Sequence, residues 1–257
     1  MTNPTDTNQA SEVLQGDCLE LMKGIPDGSV DMILADLPYG TTACKWDAII
    51  PFDELWEQWN RIVKKDGAIV LTASQPFTSL VVNSNIKAYK HHWIWQKEKG
   101  TGFQVAKYRP MMKTEDVIVF CKGRLTYNPQ MVKRDKPLKY RYPKVQSRSN
   151  PLASYSDKVV ISTEKYPENI LSFKTERGFH PTQKPVALFE YLIKTYTNEG
   201  DLVLDNVAGS GTTGVACQNL NRNFILMEQE PEYVEIIKKR LELNKERLRQ
   251  LTNKEIT

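Results

Sequence analysis

The sequence predicts an α/β protein built on a doubly wound, mostly parallel sheet, with a basic region inserted between its two halves. Two observations carry this prediction. Short apolar runs alternate with helical patterns over most of the 257 residues, an order that is typical of parallel α/β sheets. Residues 122–178 lack such a pattern and separate one alternating half from the other. We therefore expect one large core and one inserted region.

The elements follow in chain order from the apolar pattern. Strands are predicted at 13–15, 30–35, 68–71, 93–95, 117–121, 202–205 and 224–227. Helices are predicted at 52–65, 184–196, 212–220 and 232–251. The predicted domains are 11–121 with 179–252 as one discontinuous domain, 122–178 as the insertion, and 1–10 as a flexible tail.

The last predicted helix carries an apolar stripe that includes Ile236, Leu241 and Leu248. Such a stripe packs either into the core of the protomer or against a second copy in a homodimer. The sequence leaves both arrangements open.

The inserted region concentrates positive charge. The whole chain has a formal charge of +4, but residues 122–177 hold thirteen Lys and Arg against five Asp and Glu. Five prolines there predict that no long element forms. Tyrosines alternate with basic residues, a mixture suited to phosphate contact and to stacking on bases. A solvated surface excursion is the equally weighted alternative.

The bulk composition excludes several classes of protein. No apolar run approaches the ~18 residues that span a bilayer, and residues 1–10 are too polar for a secretory signal. We therefore expect a cytoplasmic protein without a membrane partner. Cys18, Cys44, Cys121 and Cys217 are scattered, which predicts reduced, mostly packed thiols, and no metal site is expected from the three histidines.

A glycine-rich turn follows the strand predicted at 202–205. Gly209, Gly211 and Gly214 would let a ligand approach the backbone at the start of the next helix. Their G-x-G-x-x-G spacing also suits a dinucleotide, and Glu228 could bind ribose hydroxyls of either ligand. Asp205 favours S-adenosyl-L-methionine over a dinucleotide. Its carboxylate would repel the pyrophosphate of a dinucleotide but suits the ammonium of S-adenosyl-L-methionine.

A second polar turn follows the strand predicted at 30–35. An exocyclic amine on a nucleobase is a poor nucleophile, so a useful site accepts its hydrogen bonds and holds it in line with a methyl donor. Asp36 offers a carboxylate, Pro38 a carbonyl and Tyr39 a ring for stacking on the base. A plain turn after a buried strand is the alternative explanation.

These segments resemble the β class of DNA amino-methyltransferases. In that class a D-P-P-Y corner comes first, a target-recognition region follows, and the cofactor loop comes last. The matching segments are 16–18, 36–39, 46–47, 95–97, 110–122, 180–185, 205, 209–213 and 228–233. The resemblance covers most of the chain from residue 13 to about residue 240.

The resemblance implies the seven-stranded-type fold of S-adenosyl-L-methionine-dependent methyltransferases, with 122–178 as the target-recognition region. The implied catalytic residues are Asp36, Pro38 and Tyr39. The implied cofactor-binding residues are Asp17, Cys18, Asp36, His180, Thr182, Lys184, Asp205, Ala208, Gly209, Ser210, Gly211, Thr212, Thr213, Glu228 and Gln229. The residues expected to bind DNA are Lys133, Arg134, Lys139, Arg141, Lys144 and Arg148.

The implied reaction is direct methylation of adenine N6 in double-stranded DNA, after the base has been rotated out of the stack. Relatives that act on cytosine N4 usually carry Ser where this chain has Asp36, which favours adenine. The chain departs from the family pattern twice, at Leu37 in the corner and at 206–208 in the cofactor loop.

Three alternatives stay open. Cytosine N4 methylation uses the same fold. Related N-P-P-Y corners act on RNA bases or protein glutamines, although Asp36 and the basic insertion favour DNA. A degenerate DNA-binding module is the third, with Leu37 and the altered loop as its support. The sequence determines neither the recognition sequence nor whether a cognate restriction nuclease exists.

Overall fold

The computed structural model describes residues 11–40, 48–143, 155–176, 178 and 183–255. Within these ranges the strands are β1 (Glu12–Gln15), β2 (Val30–Ala35), β3 (Val63–Ala73), β4 (Tyr89–Thr101), β5 (Met112–Phe120), β6 (Val132–Pro143), β7 (Tyr155–Lys165), β8 (Ile170–Ser172), β9 (Leu202–Asp205) and β10 (Asn223–Glu228). The helices are α1 (Cys18–Met22), α2 (Phe52–Ile62), α3 (Phe77–Ser84), α4 (Val186–Tyr196), α5 (Thr212–Asn219) and α6 (Pro231–Glu255), with a 3₁₀ turn at Phe103–Val105.

Eight strands form one sheet in the order β1-β10-β9-β2-β3-β5-β4-β8. The neighbouring strands β1, β10, β9, β2 and β3 are all parallel to one another. Strand β5 lies between β3 and β4 and is antiparallel to both. The central neighbours β9 and β2 come from opposite ends of the chain, with Met32 opposite Val203. The segments that follow these two strands therefore leave the same edge of the sheet, where open α/β sheets bind ligands.

Both faces of the sheet are covered by helices, which explains the continuous apolar runs of its parallel strands. In β2, Met32 and Leu34 pack on the face that α4 and α5 cover. Ile33 and Ala35 pack on the face that α1, α2 and α3 cover. The predicted doubly wound, mostly parallel α/β fold is confirmed.

No helix was predicted at α1 or α3 and no strand at β8; α1 and β8 have only five and three residues, too few to show an apolar period. Helix α1 nevertheless has a local start signal, since the Asp17 carboxylate accepts hydrogen bonds from the backbone of Leu19 (2.8 Å) and Glu20 (3.2 Å). Helix α2 ends at Ile62, three residues before its predicted end, because Val63 is already extended and begins β3.

Pro129–Glu168 forms a second compact unit, an antiparallel pair of the strands β6 and β7. The expectation that prolines prevent long elements here is wrong, because β6 has twelve residues and contains Pro137. Each strand of a two-stranded sheet has a free edge, where the missing N–H of proline removes no ladder bond. Pro137 also lies within a register shift between Lys133 and Leu138.

This unit is shorter than the insertion expected at 122–178. Before it, the backbone N–H of Gly123 donates to the Lys65 carbonyl at 2.8 Å. After it, β8 pairs with β4. Both flanking segments are therefore held by the main sheet.

The stripe of α6 packs mostly inside the protomer. Ile237 is fully buried and Leu241 is 8% exposed, and both belong to the core that α5 and β10 share. Asn244, which interrupts the stripe, is buried and donates to side chains of α5 at 2.9 and 3.0 Å. Within the described part of the chain, no helix combines the length and apolarity needed to cross a membrane.

Candidate active site

The polar turn after β2 places the Asp36 carboxylate at the edge of the sheet. Its Oδ1 accepts hydrogen bonds from the Tyr39 hydroxyl at 2.8 Å and from the Thr72 hydroxyl. Its Oδ2 accepts from Nζ of Lys184 at 2.5 Å. Asp36 is thus fixed by one residue of its own turn and by two residues from elsewhere in the chain.

The rest of this turn rests on apolar side chains. Leu37, which replaces a proline of the family pattern, is buried in the core beneath the turn. The Tyr39 ring stacks on Phe77 with centroids 4.9 Å apart. Burial, with the nearby Asp36 carboxylate, raises the pKa of Tyr39 well above its ordinary value, so this phenol stays a hydrogen-bond donor.

A row of alternating charges extends from Asp36 into the sheet. Nζ of Lys184 also lies 3.6 Å from Oε2 of Glu115, whose other oxygen binds Lys97. Nζ of Lys97 in turn lies 5.1 Å from the centre of the Trp95 ring. Burial alone would lower the pKa of Lys184, but the two carboxylates outweigh it and raise this pKa, which keeps the ammonium charged.

This row gives Lys184 surroundings that the sequence did not predict. Its side chain contacts Asp36 and Glu115, and its carbonyl accepts from the Thr212 hydroxyl at 3.3 Å, which ties the corner to the glycine-rich loop. A direct role of Lys184 in cofactor binding remains a prediction. Thr72 carried no signal in the sequence, and Glu115 and Lys97 lay in matched segments without an assigned role.

The glycine-rich loop after β9 surrounds a buried carboxylate. Asp205 is 3% exposed, and it accepts from the Thr213 hydroxyl and from the backbone of Val207 at 3.2 Å. Burial outweighs these hydrogen bonds and raises the pKa of Asp205 to about 7. Asp36 and Glu228 add to the rise. An ionised Asp205 is therefore stabilised by any cation that enters the loop.

The glycines leave room for such a ligand. Gly209 has a φ of +54°, and a Cβ placed on it would meet nothing within 4 Å. Gly211 has a φ of +77° and packs against Ile237, which a Cβ would approach to 3.1 Å. Gly209 thus faces open space, whereas Gly211 is required for the packing of α6.

The end of β10 brings the remaining predicted cofactor residues to the loop. Oε2 of Glu228 accepts from the backbone of Gly209 at 2.8 Å, and Gln229 follows it in the chain. Strand β1 pairs with β10, so Asp17 and Cys18 reach the same edge. Nδ2 of Asn206 lies 3.6 Å from Sγ of Cys18.

Ala208, Ser210 and Thr212 complete the loop. Ala208 is fixed by its backbone N–H, which donates to the Met227 carbonyl at 2.8 Å. Nη1 of Arg240 donates to both oxygens of Ser210 and to the Thr212 hydroxyl at 3.0 to 3.2 Å. The loop is therefore held from α6 as well as from β10.

The donor set fits S-adenosyl-L-methionine. Asp205 suits its ammonium, Glu228 suits ribose hydroxyls, and Gly209 leaves space for the body of the molecule. Within the described residues, Oδ1 of Asn206 is also a buried acceptor without a donor. This residue replaces the family's proline, so the departure adds a polar contact that a ligand could satisfy.

Several predicted residues lie elsewhere. His180, Thr182, Lys144 and Arg148 are outside the described residues, as are Cys44 and the segment 46–47. The predicted DNA-binding residues that are described lie on β6, in the second unit; they are Lys133, Arg134, Lys139 and Arg141. All but Arg134 are exposed, and Nε of Arg134 donates to the Glu164 carbonyl at 3.0 Å.

The model of a DNA methylase family, which includes N6 and N4 methylases, matches residues 30–239. The chain belongs to this DNA methylase family. Its relatives include the type II methyltransferase M.HpaI of Haemophilus parainfluenzae, 30% identical over 87% of this chain and 72% of the relative. They also include the DNA adenine methyltransferase YhdJ of Escherichia coli K12, 30% identical over 92% of this chain and 84% of the relative.

Solved structures agree with this assignment. The crystal structure of the M1.HpyAVI–SAM complex has a TM-score of 0.60 and 29% identity, and covers 90% of this chain and 99% of that one. This DNA methylase is accordingly a methyltransferase that uses S-adenosyl-L-methionine. The family resemblance, the enzyme class and the cofactor predicted from the sequence are confirmed.

Proposed function

We propose that this enzyme transfers a methyl group to N6 of an adenine that has been rotated out of a DNA duplex. One observation carries the proposal: a carboxylate, Asp36, stands at the end of β2, and the cofactor loop follows the adjacent strand β9. A base amine held by Asp36 would thus lie beside the methyl donor. The name of the relative YhdJ, a DNA adenine methyltransferase, supports adenine.

The lone pairs of Asp36 limit how the amine binds. Oδ1 already accepts two hydrogen bonds, whereas Oδ2 accepts one, from Lys184. Each carboxylate oxygen has two lone pairs, so Oδ2 retains one for the amine. The Pro38 carbonyl is the second acceptor, and these two bonds orient the nitrogen lone pair away from the ring.

S-adenosyl-L-methionine, when bound, supplies an electrophilic methyl group. Asp36 accepts the proton that the amine loses on methylation, either to keep it or to pass it to water. Lys184 donates to Oδ2 of Asp36 at 2.5 Å and so holds the carboxylate in position to accept from the amine. The base stacks on the face of the Tyr39 ring opposite Phe77, which holds that ring in place.

The second unit provides nonspecific DNA affinity in this proposal. The exposed Lys133, Lys139 and Arg141 contact phosphates, and alternate residues of a strand share a face, which puts Lys139 and Arg141 side by side. Such contacts release counterions and predict DNA binding that weakens with salt. These contacts fix the protein on the duplex, whereas reading of the sequence requires base edges.

The product identifies the base. Plasmid DNA treated with the pure protein and S-adenosyl-L-methionine is digested to nucleosides and analysed by mass spectrometry. We expect N6-methyladenine. Formation of N4-methylcytosine would replace adenine by cytosine as the target, and an unmodified digest despite calorimetric binding of the cofactor would refute methyl transfer to DNA.

A further inference from the structure

The hairpin between β4 and β5 extends past the edge of the sheet at which Asp36 stands. At that edge Ala73, the last residue of β3, pairs with Asp116 of β5. The pairing of β4 with β5 continues beyond this point, as far as Thr101 opposite Met112. Strand β4 runs in the same direction as β2, so residues 99–113 project from the carboxyl edge. We call residues 99–113 the arm.

The arm is folded but its side chains face solvent. Its tip is closed by backbone hydrogen bonds, among them Tyr108 N–H to the Val105 carbonyl at 2.9 Å. Two aromatic side chains are nevertheless the most exposed of the large hydrophobic residues described: Phe103 is 78% exposed and Tyr108 is 89% exposed. Lone exposed apolar residues are common, but two rings within six residues on one projecting turn are not.

The arm is also strongly basic. Lys99, Lys107, Arg109 and Lys113 are exposed, and in the described part of the chain none of them forms an ion pair. The neighbouring acid, Glu98, accepts two hydrogen bonds from Thr175 at 2.6 and 2.8 Å. These bonds lower the pKa of Glu98 to about 2, and the charge of Lys99 adds to the fall.

The base of the arm joins the catalytic network. Lys97 of β4 forms an ion pair with Glu115 of β5, and Glu115 lies 3.6 Å from the Lys184 ammonium that binds Asp36. Phe103 lies six positions after Lys97 and two after the end of β4, so the two residues are at most about 20 Å apart. This is less than the ~34 Å of one turn of DNA, so a duplex that offers a base to Asp36 passes within reach of the arm.

We propose that the arm is a second DNA-contacting surface, with its cations on phosphates and with Phe103 and Tyr108 stacked on bases next to the target. This inference rests on the proposed function, because it takes the same duplex as substrate. Exposed aromatic rings among unpaired cations suit unstacked nucleic acid, where the rings stack and the cations follow the backbone. A protein partner would suit the rings but leave the cations without counterparts.

The role of the basic residues of the arm is tested by measuring DNA binding. Fluorescence anisotropy of a labelled 30-base-pair duplex of mixed sequence is measured over a range of salt for the wild type and for Lys107→Ala/Arg109→Ala. We expect roughly tenfold weaker binding and a salt slope reduced by about 1.8, the value for two lost phosphate contacts. The matched control is Lys87→Ala/Lys90→Ala, at the opposite end of β4, which should bind like the wild type.

The rings are tested by turnover on plasmid DNA with a tritiated methyl donor. Phe103→Ala/Tyr108→Ala should lower kcat by about thirtyfold or more, the loss expected from two stacking contacts, while calorimetric cofactor binding is unchanged. Ile86→Ala, another exposed apolar residue, is the control. Wild-type kcat in the ring variant, or wild-type affinity and salt slope in the cation variant, would overturn the proposal.

These outcomes are separable from failure of the proposed function. If the wild type bound DNA but produced no methylated base, the proposed reaction would be refuted, and the anisotropy series would still decide whether the arm contacts DNA. Unchanged melting temperatures of the four variants would show that they fold.

Discussion

The two halves of the active site are built in different ways. The carboxylate of the cofactor loop is held by residues close in sequence: Asp205 accepts from Val207 and Thr213, two and eight positions away. The carboxylate of the catalytic corner also needs distant residues: besides Tyr39 of its own turn, Asp36 binds Thr72 and Lys184, which are 36 and 148 positions away.

The cofactor loop depends mainly on its backbone conformation, whereas the catalytic corner depends mainly on ion pairs. The backbone conformation of the cofactor loop depends on glycines, and the loop leaves space for a ligand. Its carboxylate, Asp205, has a pKa of about 7 in the absence of a bound cation. The corner is a charge arrangement in which Lys184 compensates Asp36 and Glu115 inside the protein. Substitutions in the loop should therefore affect binding and packing, whereas substitutions in the corner should affect chemistry and electrostatics.

The largest expected effect is that of Asp36→Ala. Loss of the acceptor for the amine and its proton should lower methyl transfer about a thousandfold, within the range for removed acid–base groups. Because the loop is built separately, the calorimetric affinity for S-adenosyl-L-methionine should stay within about twofold. Activity is measured as tritium incorporated into DNA. Full activity of Asp36→Ala would show that Asp36 has no role in methyl transfer. It would also contradict the expectation that the corner governs chemistry and the loop governs cofactor binding.

The next effect is that of Lys184→Met. It leaves Asp36 and Glu115 without the cation between them, so urea unfolding should show a loss of about 3 kcal/mol, together with reduced kcat. The double variant Lys184→Met/Glu115→Gln removes one of the two carboxylates and should recover part of that stability. If instead Lys184→Met weakened cofactor binding at normal stability and kcat, Lys184 would belong to the loop, as the sequence predicted.

A pair of glycine variants separates packing from binding within the loop. Gly211→Ala places a methyl group against Ile237 at a left-handed backbone position and should cost about 2 kcal/mol of unfolding free energy. Gly209→Ala meets no protein atom, so it should cost only the backbone strain, about 1 kcal/mol, but should weaken cofactor binding. Equal calorimetric affinities for Gly209→Ala and the wild type would place the cofactor elsewhere.

The smallest effect is a pH dependence of cofactor affinity. With a pKa of about 7, Asp205 is mostly protonated at pH 6 and must release its proton before it pairs with an ammonium. Affinity should therefore fall roughly tenfold from pH 7.5 to pH 6, where the cofactor's amino group remains charged.

Two variants test whether Asp205 causes the pH dependence of cofactor affinity. Asp205→Asn should bind more weakly and lose most of the pH dependence, whereas Glu228→Gln should retain it. Glu228 is the necessary comparison because burial raises its pKa too. A wild-type affinity that rises as pH falls would contradict the role of Asp205.

Much of the fold could be predicted from periodicity. Strand β2 was predicted with its observed ends because both of its faces are buried and its apolar run is therefore continuous. The ribbon of β6 and β7 was missed because half-exposed strands with prolines lack that pattern. The short helix α1 has only one signal in the sequence, the aspartate at its N-cap.

Within the site, the same distinction holds. Asp36, Asp205 and Gly209 could be found because each lies at or shortly after the end of a strand and belongs to a short, characteristic pattern. Thr72 could not be found, since a threonine at a strand end has many structural uses and its partner is 36 positions away. The contact of Lys184 with Glu115 was hidden for the same reason.

The sequence by itself determined the fold class, the glycine-rich loop and the polar corner, because these depend on local periodicity and on residues adjacent in the chain. Only the tertiary structure decided that β9 and β2 are neighbours, that Lys184 neutralises Asp36, and that an exposed basic arm projects from the catalytic edge. Charge compensation and strand order depend on distances between residues far apart in sequence, and those distances are fixed only when the sheet has formed.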